Sequence, residues 1–203
     1  MVKGSQYNLR YRRRRSGTTD YRKRKRLVLS GLPRLVVRPA NKHITVQIVE
    51  AQATGDRVLA SAHSSELKEY AWKGPGGNLP AAYLTGLLVG VKAKSKGVEK
   101  AILDLGLFTH SKGTRILSSV KGALDAGLNI PHDEEILPGE ERLTGKHIAD
   151  YGVTLSHSNP DLYGKLFSKN IDNNLSPEQI TDNFESVKKE ILKNQLVGTD
   201  VPV

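Results

Sequence analysis

Residues 1–26, MVKGSQYNLRYRRRRSGTTDYRKRKR, cannot belong to a hydrophobic core, so the fold must be built from the remainder of the chain. Lys3, Arg10, Arg12, Arg13, Arg14, Arg15, Arg22, Lys23, Arg24, Lys25 and Arg26 are eleven cations set against one carboxylate, Asp20. The whole chain has 31 Lys and Arg against 21 Asp and Glu, a formal +10. The other 177 residues therefore balance, and all the net charge sits in one arm. Cations at that density repel each other, and the arm has almost no apolar surface to bury in compensation. Alone in water it is expected to be disordered.

A polyanion reverses that balance, because each neutralised phosphate releases condensed counterions. Arginine outnumbers lysine in the arm, which suits forked donors facing phosphate oxygens. Tyr7, Tyr11 and Tyr21 stand among the cations, where their rings can stack on unpaired bases. A solvated tail or an import address remains an alternative. A membrane-surface helix does not, since the arm lacks a Leu/Phe/Trp face.

At 203 residues and 37% hydrophobic, the chain is sized for one α/β domain with an extension. Cysteine is absent, which removes disulfides, thiolate ligands and a Cys nucleophile and fits a reducing cytosol. No signal peptide is visible, and the longest nearly apolar run, Tyr83 to Val91, is too short to span a bilayer.

The body opens with strands. Arg34 to Pro39, His43 to Glu50 and Arg57 to Ala62, the second alternating apolar and polar residues, are separated by turns at Ala40-Asn41-Lys42 and Thr54-Gly55-Asp56, predicting an antiparallel meander. Asn78 predicts the cap of a helix that Pro80 enters early and that runs to about Lys96. Its Ala82, Gly86 and Gly90, four apart, predict a smooth stripe lying close on the sheet. Ala101 to Leu105 predicts a fourth strand joined by a crossover, and Lys112 to Ala126 a second helix stopped by Gly127. The order makes a two-layer α/β (α+β) unit.

From Pro131 the texture becomes helical, with an acidic stretch at Asp133, Glu134, Glu135, Glu140 and Glu141. Thr144 to Ala149 predicts one short helix, and Asn159-Pro160 opens another. Ser176-Pro177-Glu178-Gln179 predicts a capping box before a helix striped with Ile180, Phe184, Val187 and Ile191. That stripe must bury against the main domain or a partner. The chain thus divides into an arm (1–26), an α/β core (27–130) and a mainly helical extension (131–203).

Catalytic signatures are lacking. Lys73-Gly74-Pro75-Gly76-Gly77 is glycine-rich but is no phosphate-binding motif. The histidines at 43, 63, 110, 132, 147 and 157 form no zinc spacing, and no G-x-S-x-G elbow exists. A meander followed by helix and strand resembles the ribonuclease-H-like arrangement. Such nucleases need clustered carboxylates for two metals, one of them on the first strand. That strand bears arginines, and Asp104 on the fourth is left without a partner.

Several segments together carry a family resemblance. They are Arg34-Leu35-Val36-Val37-Arg38 with Asn41-Lys42-His43, Gly55 to Ala62, Trp72-Lys73-Gly74 with Gly77 to Leu88, Gly122 to Leu128, and Gly145 to Ala149. In these the sequence resembles the archaeal form of the large-subunit ribosomal protein L-eighteen family, related to eukaryotic ribosomal protein L-five. Coverage runs from the arm to about residue 152. The resemblance implies a structural constituent of the large ribosomal subunit with no catalysis, no cofactor and no small-molecule substrate. Its implied partners are 5S rRNA, 23S rRNA and neighbouring ribosomal proteins in the central protuberance. Carried over residue by residue, the arm cations with Tyr11 and Tyr21 engage RNA, and Arg38, Asn41, Lys42 and His43 present a folded contact surface. Trp72 and Lys73, then Lys112, Thr114 and Arg115, extend that surface. Turn chemistry alone also accounts for the hairpin residues. An RNA-processing enzyme and a ribosome-assembly factor carrying the same arm are the alternatives.

Overall fold

The structure, a computed structural model, describes residues 8–109 and 111–197. Lys3, Tyr7 and His110 lie outside the described residues. Two short helices precede the sheet: α1, Arg12–Arg15, and α2, Tyr21–Leu29. Over the described residues 8–26, the expectation of an arm without regular structure is corrected. Asp20, the arm's one acid, caps α2, its Oδ1 accepting the Arg22 amide at 2.9 Å and the Lys23 amide at 3.2 Å. The Lys23 amide holds that carboxyl below the usual carboxylate range. Helix α2 runs across residue 26 to Leu29, so charge composition and local structure do not end together.

The meander forms as predicted. Strands β1 (Arg34–Pro39), β2 (Ile44–Gln52) and β3 (Gly55–His63) pair antiparallel, and β4 (Ile102–Asp104) adds parallel to β1. The order is β3-β2-β1-β4. In register, Leu35 faces Ile48 and Val37 faces Val46, so period-two alternation buries one apolar set together.

Helix α3, Leu79–Lys94, is the crossover element before β4. Twelve of its sixteen residues are buried, so it is covered on all sides. The sheet takes one side, and α4 (Arg115–Asp125) takes another. The small-residue stripe packs closely, as its spacing predicts, but against α4 and not the sheet. A methyl on Gly86 would overlap the Ser119 carbonyl, and one on Gly122 the backbone of Tyr83. Two helices so interlocked meet backbone to backbone. The predicted start of α4 at Lys112 is also corrected, because Gly113 has φ +66° and Thr114 occupies the cap. At the head of α3, Asn78 Oδ1 accepts the Ala81 amide at 2.9 Å. Asn78→Ala is expected to cost about 1 kcal/mol, read as a lower urea midpoint at constant slope.

The extension holds α5 (Glu140–Thr144), α6 (Lys146–Ser158), α7 (Pro160–Leu166), α8 (Ser168–Asp172) and α9 (Ile180–Val197). The single short helix predicted over Thr144–Ala149 is in fact a break between two. Gly145, at φ +87°, ends α5 and starts α6. The capping box at Ser176 does not form. Pro177–Gln179 make a 3-10 turn, and the Ser176 side chain makes no cap bond. Ile180, Phe184, Val187 and Ile191 are 0–3% exposed, with the Phe184 ring tilted against that of Tyr83 on α3, centroids 5.3 Å apart. Of the two alternatives for that stripe, the main domain wins. Each such side chain contributes about 1.5–3 kcal/mol of burial. No described helix is long and apolar enough to cross a membrane.

Candidate nucleic-acid interface

Within the arm, Arg10, Tyr11 and Arg12 to Arg15 are exposed. Helix α2 separates its residues into two faces. Tyr21, Arg24 and Leu27 are half-buried, while Arg22, Lys23, Lys25 and Arg26 are exposed. Tyr11 and Tyr21 lie ring to ring at 5.6 Å, which ties α1 to α2.

Arg24 is an exception among the cations because it is paired within the protein. Its Nη2 donates to Asp56 Oδ1 at 2.9 Å. Asp56 Oδ2 in turn lies 2.8 Å from Arg34 Nη2, at an angle too poor for a hydrogen bond, so that contact is Coulombic. Arg34, 4% exposed, completes the chain by donating from Nη1 to Asp104 Oδ2 at 2.7 Å. Strand β1 offers Asp104 no second carboxylate, in line with the sequence reading; its partner is instead a buried arginine.

The β1–β2 turn exposes Arg38, Asn41 and Lys42, with His43 half-buried behind them. The Ala40 amide donates to the His43 carbonyl at 2.8 Å, closing the turn. His43 Nδ1 meets Ser64 Oγ at 3.0 Å, and its ring stacks 4.9 Å from His63. The glycine loop now has a physical reason. A methyl on Gly77 would lie 2.7 Å from the Asn41 carbonyl, so the loop is glycine-rich to press against this turn. Arg115 fastens the two, Nη1 donating to the carbonyls of Ala40 (2.8 Å) and Gly77 (3.0 Å). Asn41, Thr114 and Arg115 consequently line one cavity of about 520 Å³.

Other candidates fall elsewhere. Trp72 is 4% exposed, with Nε1 donating to the Pro75 carbonyl at 3.3 Å. A methyl on Gly74 would lie 2.7 Å from its ring. Trp72 is therefore corrected from a contact residue to a packing one, since a covered ring stacks on no base. Lys73 is exposed, and its backbone is bridged to the extension by Asn173 and Asn183. Lys112 lies 3.8 Å from Glu135, both strongly exposed, a pair of little energetic weight.

Sequence reasoning missed Phe108, an exposed aromatic in the same cavity wall. It also missed a second charge division, legible had the body been counted in two parts. Residues 27–130 hold 13 Lys and Arg against 7 Asp and Glu, whereas residues 131–203 hold 7 against 13. The cations thus belong to arm and core, and the extension is acidic.

A family model described as ribosomal large subunit proteins 60S L5 and 50S L18 matches residues 5–98 and 89–133. The large ribosomal subunit protein uL18 of Caldivirga maquilingensis is 49% identical over 194 residues, 95% of this chain and 94% of the relative. That of Aeropyrum pernix is 50% identical over 192 residues, 94% and 90% of the two chains. A charge-divided chain with an α/β core, matched over nearly its whole length, belongs to the family of large-subunit ribosomal proteins that includes 60S L5 and 50S L18.

Proposed function

We propose that this ribosomal protein binds 5S rRNA through its N-terminal arm and β1–β2 hairpin. In doing so it helps seat that RNA against 23S rRNA in the central protuberance, among neighbouring ribosomal proteins. Its role is structural. The observation that carries the reading is the one-sidedness of charge: an arm and core with 24 Lys and Arg against 8 Asp and Glu, and an extension that phosphate would repel. The sequence resemblance supplies the identity of the RNA. Asp104, the carboxylate of the fourth strand, is paired with Arg34. Among the described residues no three His, Cys, Asp or Glu side chains converge as a metal site.

An electrostatic interface has a quantitative signature. With about six phosphates neutralised, the logarithm of the association constant should fall against the logarithm of salt with a slope near −4 to −5. Titrating the full chain against 5S rRNA across a salt series checks this. A slope near zero sinks the electrostatic account.

A further inference from the structure

The pairing of Arg24 with Asp56 bears on how the arm works, given the reading of it as an RNA-binding element. Helix α2 packs against β4, turning Tyr21, Arg24 and Leu27 inward and Arg22, Lys23, Lys25 and Arg26 outward. Successive helical residues are about 100° apart, so the four outward cations occupy one arc and the three inward residues the opposite one. The only ion pair from this helix to the sheet among the described residues is Arg24–Asp56, continued by Arg34 to Asp104. Arg34 is 4% exposed and cannot relocate without leaving a buried charge uncompensated. Asp56 is thereby held in place at the start of β3, and Arg24 with it.

We propose that Arg24 is the anchor of a preformed RNA-binding helix and not one of its phosphate ligands, and that Asp56 is the positioning residue that aims its outer face. Four cations within one and a quarter turns then meet the RNA backbone already oriented. Ordering the helix on the sheet beforehand lowers what binding must spend on ordering it. The two roles for Asp56 give opposite signs. As a mere anion beside a cationic arm, it would oppose phosphate, and its removal would tighten RNA binding. As a positioning residue, its removal weakens binding.

The test uses the full chain, in-vitro-transcribed 5S rRNA and four variants. Asp56→Asn and Arg24→Ala should each weaken binding about fivefold, with no further loss on combining them. Arg24→Lys should recover part of the affinity. The salt slope of Arg24→Ala should equal that of the wild type, whereas loss of a phosphate contact makes it shallower by about 1. Amide hydrogen exchange should quicken in residues 24–29 and nowhere in the sheet. Binding by Asp56→Asn that is unchanged or tighter, or a shallower slope for Arg24→Ala, overturns the inference and leaves the arm's RNA role standing. A wild-type chain that does not bind the RNA overturns both. Should Asp56→Asn fail to fold, Arg24→Ala decides, because it leaves the Arg34 pairs intact.

Discussion

Replacing Arg12, Arg13, Arg14, Arg15, Arg22, Lys23, Lys25 and Arg26 together by glutamine is expected to weaken 5S rRNA binding about a thousandfold at ~0.1 M salt, with an unchanged melting temperature. All eight side chains are exposed, and neither α1 nor α2 contains a buried residue. Their contribution to folding is therefore small, while each neutralised phosphate releases about 0.7–0.9 of a counterion, several-fold in affinity at such salt. If only half of the eight touch phosphate, the factor is already about a thousand. Arg24 is left in place because it belongs to the Asp56 pair. Deleting residues 1–26 is a cruder version, since the cut falls inside α2 and removes Arg24. Filter binding and thermal unfolding on the same sample decide the matter. A loss below about tenfold with an intact fold would move the RNA contact to the hairpin and core.

The second large effect concerns the body. Gly122→Ala should lower stability by about 1–3 kcal/mol, although alanine is the better helix former by about 1 kcal/mol. The added methyl would overlap the Tyr83 carbonyl and lie 2.7 Å from the Leu87 amide nitrogen. Backbone cannot step aside as a flexible side chain can, so α3 and α4 must separate. Separation loosens packing on both, including Ile116, Val120 and Leu87, all nearly inaccessible. Gly164→Ala is the control. That glycine lies in α7 with open space where the methyl would go, and there propensity alone should stabilise by about 0.5–1 kcal/mol. Urea unfolding of both variants should give shifts of opposite sign. A stabilising shift for Gly122→Ala as well would mean that the interlock is not tight.

The legible parts of the fold obey local rules. Strand β2 alternates with period two, β1 is a short apolar run, and turn residues separate β1 to β3, so their existence and pairing are readable directly. Asn78 and Asn159 cap the helices they precede because each side-chain oxygen accepts an otherwise unpaired first-turn amide, that of Ala81 and Leu162 respectively. The misses are long-range. Nothing near Gly86 says whether its smooth face meets a sheet or Ser119, 33 positions on. The arm reads as a bare charge run because the partner that pins Arg24 is 32 positions away. At Gly145, two helices are compressed into one, since a positive-φ hinge followed at once by a new helix resembles a single helical pattern. Trp72 reads as a surface aromatic beside a loop. Its cover depends on Gly74 folding back over the ring, which composition does not reveal. The site divides in the same way: the cations are visible one by one, but the selection of which face outward belongs to the tertiary structure.

The apolar stripe on α9 sets an order of events during synthesis. Its Ile180, Phe184, Val187 and Ile191 seal the side of α3 that carries Tyr83, yet they are translated more than eighty residues after it. Until they emerge, a nascent chain displays a greasy flank of α3 to water, while its cationic leader is already made and free to meet an anion. Capture of RNA can therefore precede closure of the globule, and the interval between them is when this chain is most exposed to wrong company.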